Sequence, residues 1–263
     1  SRRDTASLGD GVFGPAAHVR DSNSALCMTG GSVTNAQAES GAIYGEQNTN
    51  IDLTGVTFSN NILFPEDASS PQGADIWSDG QLALANTMHS GTTAAHDNDS
   101  HGGSVYFSGT SLTITDSTFT GYEATFGGAI AALNADSVVL NRVSISNTSA
   151  TAGGAVYTLD TQQVALNDTE VSESGASTGG AAHVEKADTV SIDGGRYAEN
   201  IAEDGAAVFV DGLDKDTEAT IHDVRFANNT AVGAGGALHM LGGTLAVDTS
   251  VFDLTTADKG GAI

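Results

Sequence analysis

The sequence predicts an all-β chain, a right-handed, three-sided parallel β-helix. Three observations carry this reading. A Gly-Gly-Ala-apolar motif recurs at steps of 25 to 33 residues, a second apolar series runs in phase with it, and the pieces between them are too short for helices.

The motif comes first. Gly127-Gly128-Ala129-Ile130, Gly153-Gly154-Ala155-Val156, Gly179-Gly180-Ala181-Ala182, Gly235-Gly236-Ala237-Leu238 and Gly260-Gly261-Ala262-Ile263 are close copies. Looser ones are Gly41-Ala42-Ile43, Gly73-Ala74-Asp75-Ile76, Gly102-Gly103-Ser104-Val105 and Gly205-Ala206-Ala207-Val208. Glycine pairs at such a step read as corners entering a strand, where positive φ or close stacking of successive backbones excludes a Cβ. No helix follows them, so a phosphate-cradling role is not expected.

The second series closes a short alternating segment at Val33, Phe58, His89, Phe119, Ile145, Val171, Tyr197, Phe226 and Phe252. Seven and five residues before each lies an apolar pair, from Leu26/Met28 through Leu112/Ile114 to Leu245/Val247. Each repeat therefore offers three short strands with alternating inward and outward residues. Coils of this length leave no room for crossover helices, and the general handedness of parallel crossovers gives the right-handed form. Nine coils at ~4.8 Å make a rod of about 43 Å. A β-propeller would need blades of ~40 residues or more.

These motifs carry a resemblance. The paired GGA[ILV] and FxxN elements, as in Phe58-Ser59-Asn60-Asn61 and Phe226-Ala227-Asn228-Asn229 followed by Gly235-Gly236-Ala237-Leu238, resemble the repeats of chlamydial polymorphic outer membrane proteins. The resemblance covers essentially the whole chain and implies an autotransporter-type passenger acting in adhesion. The chain departs from the pattern at the Asn position, where Tyr122, Thr148, Ser174 and Thr255 follow Phe119, Ile145, Val171 and Phe252.

Composition narrows the partners. Nine Lys and Arg against 33 Asp and Glu give a formal charge of −24, which repels nucleic acid. The single cysteine, Cys27, excludes an internal disulfide framework and thiolate metal clusters. No apolar run of about 18 residues is present, so no transmembrane helix is expected. The opening Ser1-Arg2-Arg3 reads as a mature or trimmed start within a single domain spanning 1–263, a fragment of a longer solenoid.

On such a rod, function sits in enlarged corners and outward columns. The corner after the closing strand swells twice in succession, at 60–72 and 90–101. Lying at the same corner of consecutive coils, the two loops are expected to touch. His96, Asp97, Asp99 and His101 in the second could hold a divalent cation such as calcium, although their spacing matches no established loop motif. A second feature is the outward column holding Tyr44, Trp77, Tyr106, Tyr157 and Phe209, interspersed with Ala131, His183 and His239. Stacked rings there offer a strip for a glycan or protein ligand; the same column also reads as a cross-strand ladder that stabilises the sheet. Trp77 is expected to be exposed at the base of both loops. A third feature is the column Glu170, Arg196, Arg225 with Asp168, Asp193, His222 and Asp223 nearby, the raw material of a polysaccharide lyase or an exposed ion-pair ladder.

The expectation is a non-catalytic extracellular or cell-surface protein associated with an outer membrane, an adhesin-type passenger or stalk with an extracellular protein or glycan ligand. One alternative is a subunit stacking end to end into a filament, suggested by the uncapped coil at Ile263. The other is a lyase-like enzyme.

Overall fold

The computed structural model describes residues 16–38, 40–63, 72–91, 99–212 and 216–263. Among them are three nine-stranded parallel sheets and no helix. The architecture is the predicted three-sided parallel β-helix. Each coil contributes an entry strand, a long strand and a closing strand, as in Ile130–Leu133, Ser137–Asn141 and Ser144–Ser146. Each strand pairs with its copies one coil above and one below. Leu112 thus lies beside Leu82 on one side and Val138 on the other.

The inward columns match the apolar series. Ile51, Leu53, Leu82, Leu84, Leu112, Ile114, Val138 and Leu140 on the long face are buried, as are Phe58, Phe119, Ile145, Val171, Tyr197 and Phe226 on the closing face. The pairing directs every second side chain into one prism, so a single core runs the length of the rod.

The corners explain the spacings. Between long and closing strands every coil uses two residues, and the first has positive φ in all nine: Gly30, Gly55, Asn86, Asp116, Arg142, Asp168, Gly194, Asp223 and Thr249. One left-handed residue turns the chain sharply, and Gly, Asn and Asp tolerate that conformation best. A constant two-residue corner keeps the apolar pair and the closing residue at fixed separation.

The glycine pair fills both roles expected of it. Gly127 has φ +64°, whereas a Cβ on Gly128 would lie 2.1 Å from the carbonyl oxygen of Gly154 in the next coil. The first glycine supplies both a conformation and clearance, since a Cβ on Gly127 would lie 2.1 Å from the carbonyl oxygen of Ile130, and the second supplies clearance between coils.

The Asn position of the repeat caps the matching corner of the preceding coil. Asn200 Oδ1 accepts from the Ser174 backbone N–H, and its Nδ2 donates to the Val171 carbonyl and to Asn229 Oδ1. Thr148 and Ser174 fill the same place with hydroxyls 2.9 Å apart. At Thr148 and Ser174 the departures from Asn therefore keep a buried polar group where turning backbone needs one.

Candidate functional site: the loop-bearing corner

The corner joining the closing face to the entry face is where the repeat is most altered. His96 and Asp97 lie outside the described residues, as does most of each enlarged loop. The roots of both loops are described, and beneath them the core turns polar.

Asp75 and Ser104 replace the alanine that follows the glycines in other coils, such as Ala129 and Ala155. His89 replaces a closing-face apolar residue, and Tyr122 replaces the capping Asn. The other three departures converge on the Asp75 carboxylate. Asp75 Oδ2 accepts from Ser104 Oγ at 2.7 Å and from the Tyr122 hydroxyl at 2.7 Å, and lies 2.9 Å from His89 Nδ1. Asp75 Oδ1 accepts from Asn61 Nδ2 at 2.8 Å. Each of these residues is at most 1% exposed. The His89 ring lies between Phe58 and Phe119, with centroids 4.6 and 4.3 Å away and planes within 15° of parallel. Burial, reinforced by the Asp75 carboxylate, pushes the Tyr122 phenol far above its ordinary range, so it remains a donor.

Sequence reasoning placed His89 in the core series and Asp75 and Ser104 in looser motif copies without connecting them. The available signal was that these departures fall in consecutive coils beside the two long corners.

Asp99 and His101, the described members of the suggested cation site, do not form a ligand set. His101 Nδ1 donates to the Asp99 carbonyl at 2.9 Å, and the ring stacks on Phe126 at 4.8 Å. Burial lowers the His101 pKa. Among the described residues no group of three or more His, Cys, Asp or Glu side chains converges as a metal site.

The aromatic column occupies the predicted register, with Tyr44 beside Trp77 and Trp77 beside Tyr106. It is less open than expected. Tyr106, Tyr157 and Phe209 are buried, and Trp77, expected to be exposed, is half-buried and donates from Nε1 to Gln72 Oε1 at 2.7 Å. Ala131 does not interrupt the chain of rings, because His101 and Phe126 bridge Tyr106 to Tyr157. From His18 to His239 successive rings lie 4.4 to 6.0 Å apart along this route. Rings that stack on one another along the rod direct their edges outward. A sugar stacks on a ring face, so the ladder's stacked members are arranged for cross-strand packing.

Glu170, Arg196 and Arg225 share one outward column. Arg225 donates to Asp253 at 3.1 Å, and His222 Nδ1 lies 2.8 Å from Asp193, a contact that raises the histidine pKa. The His222–Asp193 and Arg225–Asp253 side chains are about half exposed, the arrangement of a solvated ion-pair ladder.

No protein-family model, curated protein or solved structure matches the chain.

Proposed function

We propose that the chain is a non-catalytic extracellular or cell-surface β-helix, an adhesin-type passenger or stalk, and that it engages its ligand at the loop-bearing corner of the second to fourth coils. One observation carries this reading. Core and corner depart from the repeat together: four core substitutions converge beneath two consecutive long loops, as a rigid scaffold for displayed loops requires. A charge of −24 favours a neutral or basic ligand over a polyanion. The resemblance to polymorphic outer membrane protein repeats supports an adhesive, exported role.

The test replaces residues 64–71 and 92–98, separately and together, with short Gly-Ser connections. Wild type and variants are then applied to glycan arrays and to immobilised extracellular-matrix proteins. Binding by the wild type that disappears in the variants, with unfolding midpoints unchanged, is the expected result. Absence of wild-type binding to either panel, or equal binding by the variants, overturns the proposal.

A further inference from the structure

The hydrogen-bond inventory around His89 fixes where its protons lie. On the Nε2 side, the Ser117 hydroxyl donates to the Thr115 carbonyl at 2.8 Å, so its oxygen accepts from Thr87 Oγ1 at 3.0 Å. The Thr87 proton is thereby committed. Thr87 Oγ1, 3.1 Å from His89 Nε2, is left as an acceptor, and Nε2 must carry a hydrogen.

On the Nδ1 side, Ser104 Oγ donates to Asp75 Oδ2 and so meets Nδ1, 3.0 Å away, as an acceptor. Asp75 Oδ2 also receives the Tyr122 hydroxyl, and Oδ1 receives Asn61. A carboxylate collecting these donors is arranged as an anion, and Nδ1 at 2.9 Å completes the set as a further donor.

We infer that His89 is a doubly protonated imidazolium, paired with the Asp75 carboxylate and held between the rings of Phe58 and Phe119. This pair is an internal lock for the roots of both enlarged loops. The electrostatics agree with the geometry. The negative faces of two aromatic rings stabilise a cation between them, and the opposite charges leave the core neutral overall. The connectivity makes it a lock. Asn61 stands at the first loop's start and Asp75 just past its end; His89 precedes the second loop and Ser104 follows it. Asn61 also donates to the Val33 carbonyl and accepts from the Ala36 N–H, tying the pair to the first coil, while Tyr122 ties it to the fourth.

This inference rests on the proposed role of the corner, but its test uses no ligand and so can fail or succeed independently of any binding result. In wild-type protein labelled with 15N at histidine, the His89 ring at neutral pH is expected to show protons on both nitrogens. Assignment is by their absence in His89→Phe. A ring with one unprotonated nitrogen overturns the inference. In Asp75→Asn, hydrogen exchange at 60–63, 72–75 and 99–104 is expected to accelerate at least tenfold, with the sixth to eighth coils unchanged. Unaltered exchange at the loop roots, or acceleration spread evenly along the rod, overturns the locking role. Should Asp75→Asn fail to fold, Tyr122→Phe removes one donor to the carboxylate and is read by the same two measurements.

Discussion

Tyr44 and Trp77, one coil apart on the entry face, stack with ring centroids 4.4 Å apart and planes 10° from parallel. Trp77 is also 5.9 Å from Tyr106, so it joins the rings of the first coils to the rest of the ladder. Trp77→Ala is expected to lower the unfolding free energy by roughly 2 kcal/mol, less than a fully buried aromatic would cost because the indole is half-buried. Trp77→Phe should retain most of that stability. Urea titration followed by circular dichroism measures both, and an alanine variant as stable as wild type would remove the ladder's structural role.

Replacing His89 with Phe inserts the residue that Phe58 and Phe119 supply in the adjacent coils. The repeat is restored, but Asp75 keeps a carboxylate in a closed core. His89→Phe alone is expected to cost about 3–5 kcal/mol, the usual result of orphaning a buried charge. Adding Asp75→Ala should recover more than half of the loss. A double-mutant cycle in urea reports the coupling, and additive losses would show that the two residues do not act as a pair.

His183 supplies a pH dependence. Its ring lies between Tyr157 and Phe209, 8% exposed, and burial lowers its pKa to about 4. Among the described residues Nε2 has no hydrogen-bond partner, while Thr178 Oγ1 lies 2.8 Å from Nδ1. An unfolded histidine titrates near ~6.5, so between that value and 4 the unfolded chain binds the extra proton. Stability from this site is complete above pH 6.5 and is lost as pH falls toward 4, by roughly 3 kcal/mol in all. The difference between wild type and His183→Phe, measured at pH 7.5 and pH 4.5, isolates this contribution from the carboxylates. A constant difference across that range would contradict the assignment.

Glycines 154 and 175 should respond oppositely to the same substitution. A Cβ on Gly154 would lie 2.1 Å from the Gly180 carbonyl oxygen, whereas one on Gly175 meets nothing nearer than 3.8 Å. Gly154→Ala must push successive coils apart and is expected to cost 3 kcal/mol or more, about the upper end for single substitutions. Gly175→Ala should be neutral or stabilising by about 0.5 kcal/mol through the unfolded chain. Thermal unfolding of the pair is sufficient, and similar midpoints would refute the clearance argument.

Thr249 has φ +52° at the corner where the other coils use Gly, Asn or Asp, except for Arg142 in the fifth. A β-branched residue is strained in that region, so Thr249→Asn should stabilise by about 0.5–1 kcal/mol. A lowered midpoint in urea would count against strain at this corner.

The register was legible because repetition makes it redundant. One wrong residue among nine leaves the other copies to specify the columns, and a two-residue left-handed corner holds the interval constant. The outward column from Tyr44 to His239 was legible for the same reason. Its bridging by His101 and Phe126 was not, because those side chains belong to a neighbouring corner and approach the column only once the coils are stacked. The Asp75 network was hidden differently. Asp75 and Tyr122 are 47 residues apart and individually resemble lapses in the repeat. Only stacking the second, third and fourth coils brings Asn61, Asp75, His89, Ser104 and Tyr122 around one carboxylate.

By itself the sequence determined the parallel β-helix, its three faces, the residues entering the core and the two corners that depart from the rest. Those properties depend on local periodicity, which a linear pattern records. The tertiary structure decided which irregularities belong together, which way the aromatic faces are turned and where the protons of His89 lie. These depend on distances between side chains in different coils, and those distances exist only after the chain has wound.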